Sequence, residues 1–386
     1  MGAAVAKQMN KGQKLETMTT ETSSPKPLRV GVVGMGWAGE THLKAYQQMP
    51  QVEVVAVADP REERLLELKQ TYSIADVYVD YERLVQRDDI DIVSVCTPNQ
   101  FHAPVSIAAL QAGKHVLCEK PLARSSPEAE QMVRAAMDND RVLKTAFNHR
   151  ERGDIQALKQ AIDQGDLGRV YHAKASWMRR QGIPGMGGWF TSREMAGGGP
   201  LIDLGVHVLD MALYLLGEPE VEAVSAATYA ELGPRGRGGR KINTRTMEVG
   251  GYEVEDLATA FIRLAGGVTL LLEASWAVYG RAGDDFGVTL FGTEGGADVD
   301  IKNYAWEDTL RLYVDVDNEP AVLAPQVTKG EGHLAVVRKF LAAIESGDWE
   351  QHCGRDGLRR AQIIDACYQS AAEGREIPLT DLAGAL

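Results

Sequence analysis

Short apolar runs alternate with amphipathic stretches through the first 150 residues of the chain. The runs LRVGVV, VEVVAVAD, DIVSVCT, KHVLCEK and VLKTAFN predict buried strands, and the stretches EERLLELKQTY, APVSIAALQAG and SPEAEQMVRAAMDND predict helices between them. Strands and helices that alternate at this spacing form right-handed βαβ units. The pattern therefore predicts an α/β domain with a doubly wound parallel sheet.

A different pattern follows in the second half. VYHAKASWMRR (170–180) and ATAFIRLAGGVTLLLEASWAVYG (258–280) alternate apolar and polar positions, and Gly266-Gly267 is typical of a hairpin turn. This predicts an α+β domain with a large, mostly antiparallel open sheet, followed by two C-terminal helices. We expect a disordered tail at 1–27, a first domain at 28–148 and a second domain at 149–386. The stretch 231–256 is expected to be a loop over the site.

Composition and charge narrow the possible partners. The chain has 386 residues and a net charge of −13, which argues against a nucleic-acid partner because phosphate would be repelled. No apolar run approaches the ~18 residues of a membrane helix. Cys96, Cys118, Cys353 and Cys367 have no metal-binding spacing, so free thiols in the cytoplasm are expected.

A glycine motif lies between the first predicted strand and helix. Gly34-Met35-Gly36-Trp37-Ala38-Gly39 is a GxGxxG sequence in the context that binds a dinucleotide pyrophosphate at a helix N-terminus. The second strand ends in Asp59, 20 residues after Gly39, where a carboxylate suits the ribose hydroxyls of NAD. Arg61 could instead accommodate a 2′-phosphate, so NADP is the alternative.

Polar residues also follow three later strands. Each of three predicted strands ends in a polar tripeptide: Thr97-Pro98-Asn99, Glu119-Lys120-Pro121 and Asn148-His149-Arg150. The carboxyl ends of parallel strands face the ligand crevice of such a sheet. Lys120 taken alone could be an ordinary solvated lysine, but several polar strand ends on one edge favour a site.

One predicted helix of the second domain carries few polar residues. In GGGPLIDLGVHVLDMALYLLG (197–217), Asp203, His207, Asp210 and Tyr214 are spaced to share one stripe of an otherwise apolar helix. A solvated stripe usually carries Lys, Glu or Arg, so the wall of a polar cavity is favoured. Asp203 and His207 are expected to form a hydrogen bond that orients the imidazole. Metal binding by this pair is the alternative, and no metal site is predicted because a third ligand is missing.

The segment TPNQFHAPVSIAALQAGKHVLCEKPLA (97–123) closely resembles the glucose–fructose oxidoreductase/inositol dehydrogenase (Gfo/Idh/MocA) family. The resemblance extends from residue 28 to the C-terminus through GMGWAG, the Thr97-Pro98-Asn99 turn and the EKP motif. It implies an NAD(P)-dependent oxidoreductase in which Lys120 lies beside nicotinamide and substrate, and the bond before Pro121 is often cis. It also implies that Asp203 and His207, the D-x-x-x-H pair, act with Lys120, and that the C-terminal sheet forms homo-oligomer contacts, in a dimer or tetramer.

Three sets of site residues are predicted on these grounds. The catalytic set is Lys120, Asp203 and His207. The cofactor set is Gly34, Gly36, Trp37, Ala38, Gly39, Asp59, Arg61, Thr97, Pro98, Asn99, His102, Glu119 and Lys120. The substrate set is Lys120, Asn148, Arg180, Trp189, Asp203, His207 and Tyr279. The glycine-rich stretch GWFTSREMAGGGP, which contains Trp189, is expected to be a mobile lid.

The predicted reaction is hydride transfer between nicotinamide and a secondary hydroxyl of a sugar, inositol or related polyol. His207 would remove the hydroxyl proton, Asp203 would orient His207 and Lys120 would stabilise the alkoxide. Two alternatives use the same residues or the same fold. One is a glycoside-processing enzyme that oxidises transiently and recycles its NAD, and the other is a non-catalytic NAD-binding sensor.

Overall fold

The structure is a computed structural model that describes residues 26–239, 251–281 and 283–379. The expected N-terminal tail and the middle of the expected loop at 231–256 lie outside the described residues. None of the helices within the described ranges is long and apolar enough to cross a membrane. The four cysteines are buried free thiols.

The first sheet has six parallel strands in the order β3-β2-β1-β4-β5-β6. The strands are β1 (Leu28–Val33), β2 (Val52–Ala58), β3 (Asp76–Tyr78), β4 (Ile92–Val95), β5 (His115–Cys118) and β6 (Leu143–Thr145). Helices α1 (Trp37–Tyr46), α2 (Glu62–Tyr72), α3 (Tyr81–Val85), α4 (His102–Gln111) and α5 (Ser126–Asp138) connect them. The order reverses between β1 and β4, and ligands bind at such a switch point.

The second sheet has nine strands in the order β14-β13-β12-β11-β7-β10-β9-β8-β15. They are β7 (Val170–Arg179), β8 (Val221–Tyr229), β9 (Leu257–Leu264), β10 (Val268–Ser275), β11 (Asp284–Gly292), β12 (Gly296–Lys302), β13 (Leu310–Val316), β14 (Glu319–Leu323) and β15 (Ile377–Pro378). Only the β7–β10 pair is parallel among these pairings. Gly266 and Gly267 turn the β9–β10 hairpin with positive φ angles of 77° and 75°, which glycine adopts without strain. The predicted fold class is confirmed in both halves.

Five further helices cover the sheets. They are α6 (Gly153–Gln164), α7 (Arg193–Ala196), α8 (Val206–Leu215), α9 (His333–Ser346) and α10 (Arg355–Glu373). The apolar side of α8 packs with the inner face of the nine-stranded sheet. Phe340 of α9 packs with Val30 of β1, and Leu358 of α10 packs in the core of the parallel sheet. The chain therefore returns to the first sheet after completing most of the second, and the domain division at residue 148 stays a prediction.

A buried ion-pair network joins α8 to α10 and to the turn that follows β6. Asp210 is 1% exposed and accepts hydrogen bonds from Arg150 Nε at 2.6 Å and from Arg360 Nε at 3.0 Å. Arg360 is also buried and donates to Glu218. Each charge is compensated inside the protein, so removing one partner leaves an uncompensated buried charge.

The Asp210→Asn variant should therefore lower the free energy of unfolding by about 3 kcal/mol, since both guanidinium groups lose their shared carboxylate. Urea unfolding followed by circular dichroism measures this change. The matched control is Asp163→Asn, which removes an exposed carboxylate paired with Lys159 on α6 and should change stability little. Equal stability of the two variants would show that the network does not stabilise the fold.

Candidate active site

The glycine loop after β1 fits a dinucleotide. Gly34 has a φ of 87°, and a Cβ there would lie 2.6 Å from the Cys96 backbone. A Cβ on Gly39 would lie 2.0 Å from the Gly34 carbonyl oxygen, so this glycine lets α1 pack on β1. A Cβ on Gly36 would meet no atom within 4 Å. The loop is therefore tight at both ends and open in the middle, where a pyrophosphate could approach the α1 N-terminus.

Asp59 closes the adenosine end of this site. Its carboxylate accepts hydrogen bonds from the Met35 N–H at 2.8 Å and from Arg61 Nε at 2.8 Å. Burial alone would raise the pKa of Asp59, but the hydrogen bonds from Arg61 and Met35 hold it below its usual range. The ionised carboxylate suits the ribose hydroxyls of NAD. Arg61 lies beside it with an exposed side chain.

A first cavity of about 690 Å³ follows this edge of the sheet. It is lined by every predicted cofactor residue except Gly39, which packs against Gly34. His102 contacts the carbonyl oxygens of Pro121 and Thr97 at 2.7 and 2.8 Å and so fixes two strand-end turns. The Lys120–Pro121 bond is cis. Trp189 and Phe190, stacked with ring centroids 3.7 Å apart, also line the cavity.

A second cavity of about 760 Å³ lies beside the first. Four residues line both cavities: Trp37, Glu119, Lys120 and Asp203. Of the other predicted residues, Asn148 and His207 line the second cavity. Two cavities that share one polar wall suit a cofactor and a substrate that must lie next to each other.

Lys120 and Asp203 form an ion pair at this shared wall. Lys120 Nζ lies 3.0 Å from Asp203 Oδ1 and 3.2 Å from the Asp203 carbonyl oxygen. Trp276 Nε1 donates to Asp203 Oδ2 at 2.9 Å. Burial would raise the pKa of Asp203, but the charges of Lys120 and Arg179 hold it below its usual range. Lys120 is thus a lysine directed into a cavity.

His207 is placed differently from the sequence-based expectation. No hydrogen bond joins Asp203 and His207 in the described chain, because Lys120 and Trp276 take the carboxylate oxygens. Asp203 lies in a π-helical turn, Leu201–Gly205, that precedes α8 and departs from the α-helical spacing assumed from the sequence. The expected Asp203–His207 hydrogen bond is therefore corrected to a Lys120–Asp203 pair with His207 beside it.

Two imidazoles pack together in the second cavity. The rings of His149 and His207 have centroids 4.6 Å apart, and the Nδ1 atom of each is buried without a hydrogen bond to any described residue. Burial, with the nearby charge of Lys120, holds the pKa of His207 well below its usual range. Burial and the charge of Arg152 lower the pKa of His149 to about 3. Both imidazoles are therefore neutral at physiological pH, and both residues line the second cavity.

The predicted polar stripe on α8 divides between two environments. Asp203 and His207 line the second cavity, whereas Asp210 lies in the ion-pair network. Tyr214 contacts Gln156 Nε2 at 3.2 Å through its hydroxyl. The expectation that all four face one cavity is corrected, because the π-helical turn directs Asp203 toward Lys120, and the half-buried Arg150 and the buried Arg360 bind Asp210.

The structure does not bring two predicted substrate residues to the site. Arg180 and Tyr279 line neither cavity; the Arg180 guanidinium stacks on the Tyr279 ring at 4.5 Å, and Tyr279 is 65% exposed. Strand alternation instead buries Arg179, which lines the second cavity and binds Asp284 and Tyr304. Trp189 borders the first cavity and not the second.

The predicted site sets also leave out residues of the second cavity. These are His149, Arg152, Tyr304, Trp306 and His333. His149 was named at a predicted strand end beside Asn148, but it was not assigned to the site. Tyr304 and Trp306 lie in the β12–β13 connection, and His333 begins α9. No local motif marks these three, because tertiary packing alone brings them to the site.

The parallel sheet carries a dinucleotide loop at its switch point, and it meets the antiparallel sheet domain at the polar wall shared by the two cavities. These features define a nicotinamide-dependent oxidoreductase. A model of an oxidoreductase family with an NAD-binding Rossmann fold matches residues 28–147. A model of the GFO/IDH/MocA C-terminal domain matches residues 155–298. The chain belongs to the Gfo/Idh/MocA family, and the resemblance noted in its EKP segment is confirmed.

Named relatives cover nearly the whole chain. D-glucoside 3-dehydrogenase of Escherichia coli K12 is 34% identical over 360 residues, covering 93% of this chain and 99% of that protein. Myo-inositol 2-dehydrogenase of Thermotoga maritima is 27% identical over 381 residues, covering 92% and 100%. Levoglucosan dehydrogenase in complex with NADH and levoglucosan has 27% identity and a TM-score of 0.79, over 92% of this chain and 99% of that one. The predicted NAD cofactor and dehydrogenase class are confirmed.

The Asp59→Asn variant should weaken NAD binding at least tenfold and NADP binding less, because it removes the charge that suits ribose hydroxyls and repels a 2′-phosphate. Isothermal titration of both cofactors measures the two dissociation constants and needs no substrate. Arg61→Ala should weaken NADP binding more than NAD binding. The matched control is Asp88→Asn, an exposed carboxylate of the same domain. Equal losses for both cofactors in Asp59→Asn would contradict this assignment.

Proposed function

We propose that the chain oxidises a secondary hydroxyl of a sugar, with NAD as hydride acceptor, and that D-glucosides oxidised at C3 are its first substrate class. The observation that carries the proposal is the Lys120–Asp203 ion pair beside a neutral, buried His207 at the wall shared by two cavities. The glucoside and the C3 position rest on the 34% identical relative, which is named for that reaction.

His207 acts as the base in this proposal. Its imidazole is neutral, so it can accept the hydroxyl proton as the C–H hydride leaves. Burial and the charge of Lys120 disfavour the imidazolium, so the proton passes on to solvent after the ketone forms. NAD, when bound along the first cavity, supplies the hydride acceptor at its nicotinamide.

Lys120 stabilises the negative charge that develops on the substrate oxygen. Asp203 holds the Lys120 ammonium at 3.0 Å, and Trp276 in turn holds Asp203. Asp203 therefore positions Lys120, a role that differs from the sequence-based expectation that it orients His207. A charge fixed before the reaction stabilises the transition state without reorganisation.

The remaining cavity residues supply orientation. Asn148, Arg152 and Arg179 offer hydrogen-bond donors, and Tyr304 offers an aromatic face. Such a set suits hydroxyl groups and a sugar ring. Trp189 and Phe190 are proposed to cover the nicotinamide end of the first cavity.

The expected homo-oligomer is also a proposal. Helix α8 covers one face of the nine-stranded sheet, whereas Leu271 and Phe261 form a cross-strand pair on the other face. This face supports contact with a second copy, and light scattering would give the mass. The cytoplasmic location stays a prediction.

The first experiment follows reduced nicotinamide by its absorbance with NAD and a panel of substrates. The panel holds alkyl and aryl D-glucosides, levoglucosan, glucose and myo-inositol. A D-glucoside should be oxidised fastest, and NMR should place the new carbonyl at C3. Lys120→Ala and His207→Ala should each lower kcat by about 10²–10⁴. The controls Lys302→Ala and His172→Ala, on strands of the second domain away from both cavities, should retain activity.

Each other outcome has a definite meaning. NAD binding without any NADH formation across the panel would contradict the dehydrogenase. Aglycone release without net NADH would replace it with the glycoside-processing alternative. Oxidation of inositol alone would agree with NAD-dependent oxidation of a secondary hydroxyl, but it would overturn D-glucosides as the substrate class.

The pH profile tests the base separately. Because the pKa of His207 lies well below the ordinary value of about 6.5, the imidazole stays neutral as pH falls through that value. The kcat/KM of the wild-type enzyme should therefore show no acid-side fall centred near pH 6.5. An acid-side fall near pH 6.5 that vanishes in the residual activity of His207→Gln would contradict a depressed pKa.

A further inference from the structure

A buried carboxylate lies between two imidazoles next to the catalytic lysine. Glu119 is 7% exposed, and its Oε1 atom lies 3.0 Å from His42 Nε2 and 3.1 Å from His333 Nε2. Its Oε2 atom accepts the backbone N–H of Lys120 at 3.1 Å. The cluster is distinct from the Lys120–Asp203–His207 group, although it lies on the same wall.

The three side chains come from distant parts of the chain. His42 projects from α1 and is fully buried, Glu119 follows β5, and His333 begins α9. The two histidines thus belong to the first helix and to the segment that returns from the second sheet. No sequence motif joins positions 42, 119 and 333.

Among the described residues, the side chains that pair with Glu119 are the imidazoles of His42 and His333, and no Lys or Arg side chain forms an ion pair with it. The nearby Lys120 ammonium binds Asp203 instead. A buried charge is normally paired with an opposite charge or bound to a metal ion. A metal ion bound by the carboxylate and both neutral imidazoles would compensate this charge, and a protonated imidazole would do so in a metal-free network.

The arrangement matches what a transition metal needs. The Nε2 atoms of His42 and His333 and a carboxylate oxygen of Glu119 all lie within 4.8 Å of one another. Zinc binds histidine nitrogen and carboxylate oxygen at about 2.0–2.2 Å, which separates ligands by about 3.3 Å in a tetrahedron. The distances of 3.0 and 3.1 Å are close to this value.

The hydrogen-bond partner behind His42 and the cavity beside the cluster also suit a metal site. Ser94 Oγ lies 2.7 Å from His42 Nδ1 and fixes the ring, as the outer partner of a metal-binding histidine does. Glu119 and His333 line the second cavity. A cation could enter there and keep a coordination position open toward the cavity.

We propose that His42, Glu119 and His333 bind one divalent transition-metal ion of the zinc class where the cofactor and substrate cavities meet. Two imidazoles and one carboxylate prefer such an ion over Mg²⁺, which favours oxygen ligands. The competing arrangement is a metal-free network in which both imidazoles donate to Glu119. This inference does not depend on the proposed sugar substrate.

Direct titration distinguishes the two arrangements. The full chain, freed of any affinity tag and treated with a chelator, is titrated with Zn²⁺ by calorimetry, and with Co²⁺ by visible absorption. One equivalent should bind, and Co²⁺ should give the ligand-field bands of a site of low coordination number. Mg²⁺ should give no binding at the same concentrations. Thermal unfolding should shift upward with Zn²⁺, because an ion bound to the folded state stabilises it.

Variants assign the binding to this cluster. His333→Gln and Glu119→Gln should each weaken Zn²⁺ binding more than tenfold. Ser94→Ala, which removes only the outer partner, should weaken it about 10–100-fold. The matched control His172→Gln removes a histidine from β7 that contacts Thr269 and should leave Zn²⁺ affinity unchanged. His333 lies at the start of a helix, so its variant keeps the test available if a variant of the fully buried His42 fails to fold.

Two results would overturn the proposal. One is the absence of a stoichiometric Zn²⁺ site in the wild-type chain, with and without saturating NAD, which would establish the metal-free network. The other is a Zn²⁺ site that His333→Gln and Glu119→Gln leave intact, which would place the ion elsewhere.

Discussion

The ion pair between Lys120 and Asp203 is the contact on which the site depends. Lys120 follows the end of β5 in the parallel sheet, and Asp203 lies in the π-helical turn that leads into α8 on the antiparallel sheet. The pair therefore joins two separately built sheets at the point where the two cavities meet. Its geometry fixes the lysine, and with it the wall shared by cofactor and substrate.

Burial sets the protonation states around this pair. Asp203 keeps its charge because Lys120 and Arg179 compensate it, whereas His149 and His207 are neutral because burial and neighbouring cations disfavour their charged forms. One site thus holds a fixed anion, a fixed cation and two neutral bases. This separation of charged and neutral groups is the feature on which the proposed proton transfer rests.

The C-terminal segment contributes residues to the site and contacts both sheets. Phe340 anchors α9 in the core of the parallel sheet, so the start of the same helix is held against α1. His333 then reaches Glu119 at 3.1 Å. The Asp210 network with Arg150 and Arg360 ties α8 and α10 together in the same way. The relative placement of the two sheets therefore depends on buried polar contacts as well as on apolar packing.

The sequence by itself determined the elements and the cofactor loop. Hydrophobic periodicity and turn glycines are local properties, so five of the six parallel strands, the β9–β10 hairpin, the Gly34–Gly39 loop and the Asp59 position follow from short stretches of chain. The charged strand end at Lys120 and the Asp203 and His207 positions were also visible, because strand ends and a buried helix restrict where polar residues stand.

Only the tertiary structure decided how these residues are paired. The π-helical turn directs Asp203 to Lys120 and Trp276 instead of His207, and strand alternation turns Arg179 inward and Arg180 outward. Tyr304, Trp306 and His333 reach the cavity from connections far along the chain. Their placement follows from long-range packing between the sheets and the returning helices, and no local pattern in the sequence encodes such packing.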